Sequence, residues 1–396
     1  MRDHWLLLAF AATALAAAQD LPRGQIVDTV KSAADQAQTY VLYLPSNYTP
    51  AKRWNLILAF DPGGRGRRPV ERYQAAAEKY GYIVAGSNNS RNGPWDISRA
   101  AALAMWTDVL QRFSIDASRI YAAGHSGGAR VAMSIAMETS GAAAYGGGGK
   151  YPGKVAGVFA SSAVYPGDER LDKLRFPVFG TAGTEDFNNL EMHQFDQTVT
   201  SAHRLEIFEG PHAWLPESLA MRAVEWMELQ AMKSGLRARD NAWLNQRFSA
   251  GEADAASLKE SIARDHALTA LAADFDGLRD VAPIRARDAA LRKQPGVQDA
   301  LKQARAEQQA EGQTLSAISD FETALGDDSE KRSESLWKLR QSLTALSAQA
   351  KAADDSPGRR MARRILAGVA AGSRGIGDKE YQELVDSVRL PQAPQR

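Results

Sequence analysis

Cysteine is absent from all 396 positions. A chain without thiols forms no disulfide, so its stability has to come from core packing alone. At this length there is ample chain for a sizeable core, and two domains are the default expectation. An excess of either charge is missing too: 48 Lys and Arg face 47 Asp and Glu, leaving a formal net charge of +1. That balance gives no electrostatic reason to expect nucleic acid or an anionic membrane as partner. Metal spacing of the H-E-x-x-H kind, a Walker A loop and a dinucleotide G-x-G-x-x-G after the first strand are also lacking, so nothing calls for a metal or cofactor. The apolar run from Trp5 to Ala18 falls short of the roughly 20 residues that a spanning helix needs. With Arg2 before it and Ala16-Ala17-Ala18 at its end, it reads as a secretory leader cleaved after Ala18. No stable membrane insertion is expected after cleavage, and the lack of a cysteine at the cleavage point argues against lipid attachment there. A periplasmic or secreted protein is the expectation.

What is present is an alternation. Gln25 to Lys31 and Thr39 to Leu44 have strand character and suggest an antiparallel entry to a sheet. Trp54 to Phe60 is a continuous apolar strand, as expected when both faces are covered. Pro69 to Tyr80 is helical with proline in its first turn. Tyr82 to Gly86 is a strand, and Asp96 is placed to cap a helix over Ile97 to Phe113. Further strands are expected at Val155 to Ala160, Phe176 to Gly180 and Leu205 to Phe208, with helices over Leu190 to His203 and Leu215 to Met232. Strand and helix in turn from Trp54 to about Lys233 predict a mainly parallel sheet with helices on both faces. Tyr145 to Gly153, with four consecutive glycines, reads as a surface loop.

From about Ser234 the strand signals stop. Leu315, Ile318, Phe321 and Leu325 recur at helical steps, as do Leu336, Leu339, Leu343 and Leu346, and Pro283, Pro295 and Pro357 mark breaks between helices. The expected organisation is a leader over 1–18, an α/β domain over 19–233 and an all-α C-terminal domain over 234–396. Arg359, Arg360, Arg363 and Arg364 read as a solvated helix face, with an acidic protein partner as the alternative.

The chemistry centres on Ile120-Tyr-Ala-Ala-Gly-His-Ser-Gly-Gly128, where a strand ends in G-x-S-x-G and an alanine-rich helix follows. This is a nucleophile elbow. The tight strand-to-helix turn forces Ser126 into a strained backbone conformation, and only small neighbours such as Gly124 and Gly128 leave room for it. The helix that begins there aims its N–H groups and positive dipole end at charge developing on a substrate oxygen.

An activated serine needs a base for its proton and a carboxylate to hold that base. Behind an elbow of this type these follow in order, each on a loop after a later strand. Phe176 to Gly180 leads into Thr181-Ala-Gly-Thr-Glu-Asp186, and Leu205 to Phe208 into Glu209-Gly-Pro-His212-Ala-Trp214. Asp186 is therefore the candidate acid, with Glu185 beside it as the alternative, and His212 is the candidate base. His193 and His203 fall in a helical stretch, His266 in the helical domain, and His125 inside the elbow in a structural or pocket-lining role. The oxyanion donors are expected to be the backbone N–H of Gly127 and one from Gly63 or Gly64, after the Trp54 to Phe60 strand. Arg65, Arg67 and Arg68 crowd that loop as solvent-facing charge or as a grip on a substrate carboxylate.

Taken together, Ala59 to Gly66, Gly124 to Gly128, Asp186 and Gly210 to Trp214 resemble the α/β-hydrolase superfamily. Within it the chain is most similar to secreted esterases of the feruloyl esterase and polyhydroxybutyrate depolymerase type, whose Gly-x-x-His-x-Trp-like segment is matched by Glu209-Gly-Pro-His-Ala-Trp214. The resemblance covers Thr39 to Lys233, about half of the chain. It implies an α/β-hydrolase fold and hydrolysis of a small-molecule or polymer-linked carboxylic ester through an acyl-serine intermediate. Where that family's oxyanion loop begins His-Gly, this chain has Asp61-Pro62. A serine peptidase of the same fold is the alternative within enzymes. A non-catalytic scaffold recruiting a protein partner through its C-terminal helices is the alternative outside them.

Overall fold

Along Trp54–Phe60 (β3), Leu56, Leu58 and Phe60 alternate with Ile57 and Ala59, and all five are fully buried. Successive side chains of a strand point to opposite faces, so burial of both sets means that both faces of the sheet are covered. Ala102, Met105 and Trp106 of α2 (Trp95–Arg112) and Ala129, Met133 and Ala136 of α3 (Gly127–Thr139) belong to the core on one face. Val70, Tyr73 and Ala77 of α1 (Arg67–Tyr80) and Leu219, Ala223 and Met227 of α5 (Glu217–Lys233) belong to the core on the other. Each fully buried Leu, Ile or Phe contributes about 1.5–3 kcal/mol, which is how this chain holds its sheet with no disulfide.

This is a computed structural model, and it describes residues 21–141, 150–167 and 173–390. The expected leader, residues 1–18, and residues 145–149 of the glycine-rich stretch lie outside the described residues. Among the described residues the sheet has eight strands: β1 (Ile26–Lys31), β2 (Thr39–Tyr43), β3, β4 (Tyr82–Ser87), β5 (Ile115–His125), β6 (Gly157–Ser161), β7 (Val178–Glu185) and β8 (His203–Pro211). Their order across the sheet is β1-β2-β4-β3-β5-β6-β7-β8. β1 pairs antiparallel with β2, and β2 with β4. From β4 through β3, β5 and β6 to β7 every pair is parallel. The antiparallel entry and parallel centre expected from the sequence are both present. Among the described residues no helix is long and apolar enough to cross a membrane.

The chain divides into two compact units. The first takes in the chain up to Ala182, then Glu191–Phe208 and Ala213–Ala238. The second holds Arg239–Arg396 together with two short segments from the strand ends, Gly183–Leu190 and Glu209–His212. It is helical beyond residue 239: α6 (Asn241–Ser257), α7 (Ser261–Phe275), α8 (Ala282–Arg292), α9 (Pro295–Ala324), α10 (Ser329–Ala350), α11 (Pro357–Gly372) and α12 (Lys379–Val388). Of the two ladders read from the sequence, Leu315, Ile318 and Phe321 lie on α9 with Leu325 as its C-cap residue, and Leu336 to Leu346 lie on α10. Ile318, Leu339 and Leu343 share a core with Ile365 and Leu366 of α11 and Tyr381 of α12.

Several local expectations are corrected. α2 begins at Trp95 with Pro94 as its cap residue, and Asp96 lies in the first turn, where its charge meets the positive end of the helix dipole. The helix expected over Leu190 to His203 is α4 (Asn189–Thr198), and His203 opens β8. Thr198, Val199 and Thr200 are all β-branched, which disfavours further helix. The breaks expected at Pro283, Pro295 and Pro357 are present: each proline sits in the first turn of a helix, where the missing N–H has no intrahelical partner to lose. The arginine run is not simply a solvated face: Arg359 and Arg360 pair with Asp355, Arg363 with Glu185 and Arg364 with Glu311.

Candidate active site

β5 ends at His125, α3 begins at Gly127, and Ser126 between them has φ 55° and ψ −126°. A positive φ at a residue with a Cβ costs of order 1–3 kcal/mol and persists only where its surroundings hold it. Here they do. The Ser126 amide donates to the carbonyl of Ser161 at the end of β6 (2.8 Å), and the Ser126 carbonyl accepts from Ala129 (2.9 Å) to open the helix. A Cβ on Gly124 would come within 2.1 Å of the Gly128 carbonyl oxygen, and one on Gly128 within 1.9 Å of the Phe60 oxygen. Both positions therefore require glycine. A serine at a helix N-cap normally spends its hydroxyl on a backbone N–H of the first turn, but Ser126 makes no side-chain cap bond. Ser162 also has a positive φ, 62°, but irregular chain follows it rather than a helix. Gly127 is the first residue of α3, so its N–H has no acceptor within the helix.

Asp186 follows β7 and His212 follows β8, and β7 and β8 are neighbours in the sheet. The structure brings these two together: His212 Nδ1 lies 2.7 Å from Asp186 Oδ1. Asp186 is fully buried. A carboxylate accepts, so the proton sits on Nδ1, and the lone pair of this tautomer is on Nε2. Asp186 Oδ1 also accepts the Asn188 amide at 2.9 Å, which curls the loop around it. The Phe187 ring stacks on the His212 imidazole with centroids 4.0 Å apart and planes 26° from parallel. Glu185 is engaged elsewhere, in an ion pair with Arg363 at 2.8 Å. Of the two adjacent acids, Asp186 is the one that meets His212.

The turn after β3 is organised by Asp61, which is fully buried. Its Oδ1 accepts the Gly63 amide and Nε of Arg65, both at 2.8 Å, and its Oδ2 accepts the indole N–H of Trp214 at 2.8 Å. The Gly64 amide donates to the Asp61 carbonyl at 3.2 Å. In this conformation the two glycine amides expected as oxyanion donors are thus both bonded within their own turn, Gly63 to the Asp61 carboxylate and Gly64 to the Asp61 main-chain carbonyl. Arg67 pairs with Asp28 and Glu71, so neither it nor Arg65 stands as unopposed charge. His125 is buried, its ring 5.6 Å from that of Trp214, in keeping with a structural role.

Sequence reasoning missed the partners of these groups. Asp61 was visible as a departure from His-Gly, but nothing nearby in sequence pointed to Trp214. Phe187, next to Asp186, gave no periodic signal of its own.

No protein-family model matches the chain, and no curated protein matches it. Among solved structures it is similar to FphF, a fluorophosphonate-binding serine hydrolase of Staphylococcus aureus, at 15% identity over 52% of this chain and 99% of that one, with a TM-score of 0.39. It is similar to Thermogutta terrifontis esterase 2 at 15% identity over 55% and 99%, with a TM-score of 0.40. A truncated carbohydrate esterase from gut microbiota matches at 14% identity over 54% and 97%, with a TM-score of 0.42. Likenesses this distant carry no argument about chemistry. The order and direction of the chain's own strands, with the strand-serine-helix turn after β5, give it the α/β-hydrolase fold.

Proposed function

We propose that this protein is an exported serine hydrolase that cleaves carboxylic esters through an acyl-serine intermediate. The observation that carries the reading is the backbone at Ser126, a strained serine that opens a helix without capping it. Ser126 Oγ attacks the ester carbonyl carbon while its proton passes to Nε2 of His212. Asp186 holds the imidazole by Nδ1–H and stabilises the imidazolium that forms. The oxyanion of the tetrahedral intermediate takes a hydrogen bond from Gly127 N–H. A second comes from Gly63 or Gly64 once substrate releases that amide from Asp61. His212 then returns its proton to the leaving alkoxide, and water repeats the sequence on the acyl-serine to release the acid. The substrate class, a small-molecule or polymer-linked ester, follows the resemblance of the Ala59 to Gly66 and Gly210 to Trp214 segments to feruloyl esterase and polyhydroxybutyrate depolymerase-type enzymes. Export follows from Arg2 and the Trp5 to Ala18 run.

Parallel assays on chromogenic short-chain esters and peptide amides test this, with a fluorophosphonate probe to label the serine. Ester turnover lost in Ser126→Ala, with the fold intact, is the expected result. Turnover confined to amides replaces the esterase reading with a peptidase. Failure of wild-type protein to label at Ser126 removes the nucleophile and favours a scaffold that recruits a protein partner.

A further inference from the structure

The loop that carries Asp186 is held by the C-terminal helices on both sides of the carboxylate. On α11, Arg364 donates from Nη1 to the carbonyl of Thr184 at 2.8 Å, two residues before Asp186. The same guanidinium grips Glu311 of α9 with its other edge, Nε to Oε1 at 2.8 Å and Nη2 to Oε2. Arg363 pairs with Glu185 at 2.8 Å. After Asp186, a Cβ on Gly368 of α11 would lie 3.4 Å from Cβ of Phe187, so helix backbone passes directly beneath the residue whose ring stacks on His212. The Thr184 hydroxyl receives the Gly210 amide at 3.2 Å, which joins the acid loop to the segment that carries His212.

The Arg364–Glu311 pair is largely withdrawn from water, with 14% and 3% of the two side chains exposed. Burying such a pair brings little net stability, because desolvation offsets most of the attraction. It does fix direction. A two-pronged carboxylate grip locks the guanidinium plane, which fixes the directions of the three N–H bonds left over. Here one of them, on Nη1, points at the Thr184 carbonyl.

We propose that Arg364, oriented by Glu311, is a positioning residue for the His212–Asp186 pair, and that α9 and α11 are thereby part of the catalytic apparatus. The catalytic half of this statement rests on the serine hydrolase reading above; the positional half stands on the acid–base pair alone. A misplacement of about 1 Å at such a pair can lower turnover by about 100-fold.

The test uses full-length protein. Arg364→Lys keeps the positive charge facing Glu311 but cannot span both Glu311 and Thr184, so it is the informative variant should Arg364→Ala not fold. Arg332→Lys is the control: it weakens a comparable ion pair, with Asp378, that lies in the same helical unit and does not touch the acid loop. Two readouts are taken, steady-state ester kinetics across pH and the low-field proton resonance of His212 Nδ1–H. Folded Arg364→Lys should lose about 100-fold in kcat with KM little changed, shift the acid limb of its kcat/KM profile, and lose or shift the low-field resonance. Arg332→Lys should do none of these. A folded Arg364→Lys with wild-type kinetics and resonance overturns the proposal, as does an equal loss in Arg332→Lys. Absence of the resonance from wild-type protein overturns the pairing on which it stands. If wild-type protein neither labels nor turns over ester, the serine hydrolase reading fails by itself, and the resonance in Arg364→Lys still decides whether the helices position the pair.

Discussion

The indole N–H of Trp214 donates to Asp61 Oδ2 at 2.8 Å across 153 positions of sequence. Asp61 is fully buried and has no lone pair to waste, since its other oxygen serves Gly63 and Arg65. In Asp61→Asn an amide N–H₂ must face either the indole or the guanidinium, donor against donor. We expect a loss of about 1–3 kcal/mol, read as a lower Tm. Trp214→Phe should be destabilising as well, and less so when combined with Asp61→Asn than alone. Strict additivity of the two changes would contradict the shared bond.

Strain at Ser126 predicts that two inactive variants differ in stability. Ser126→Ala keeps a Cβ at φ 55° and keeps the strain. Ser126→Gly relieves it, at the expense of a more flexible unfolded chain. The glycine variant should therefore be the more stable by roughly 0.5–1 kcal/mol. Equal Tm values would mean the turn is not strained.

Asp186 and Glu185 are adjacent and separable by kinetics. Asp186→Asn leaves the loop its shape but favours the wrong imidazole tautomer, and should lower kcat by about 10³- to 10⁴-fold. Glu185→Gln removes only a partly exposed ion pair with Arg363 and should cost about fivefold or less. The reverse ranking would exchange their roles.

His203 gives a pH dependence. Its Nδ1 faces the Ser201 carbonyl at 2.7 Å and its Nε2 the Asp196 carbonyl at 3.1 Å, so both nitrogens donate only when the ring is charged. Burial works against that charge, but Asp196 and the two carbonyls outweigh it, and the pKa lies above its ordinary value. A raised folded pKa stabilises fully below the unfolded value, about 6.5, and the effect fades as pH rises through the folded value. His203→Gln should thus lower Tm near pH 5.5 more than near pH 8.5, by about 1 kcal/mol at most given its partial exposure. A larger loss on the alkaline side would reverse the sign and refute the assignment.

Much of the sheet was legible because its physics is local. Val84, Leu58 and Ala122 sit in runs whose apolar residues fill both faces, and the end of β5 is announced by the small residues that its turn requires. The end of α4 was less so. The composition of Leu190 to His203 suits a helix, and only the β-branched cluster at Thr198 to Thr200 signals the stop. The four arginines of α11 gave a wrong impression because charge in a sequence carries no direction. The acids that Arg363 and Arg364 meet, Glu185 and Glu311, lie more than 50 positions away.

The sequence by itself determined which residue types stand at the ends of β5, β7 and β8, since strand periodicity, turn glycines and an ordered serine, acid and histidine are all short-range patterns. Only the tertiary structure decided that Asp186 rather than Glu185 meets His212, that Asp61 takes up the Gly63 amide, and that Thr184 is held by Arg364. Each of those choices depends on which donor and acceptor approach within about 3 Å. That separation is set by packing between segments far apart along the chain, and no local pattern encodes it.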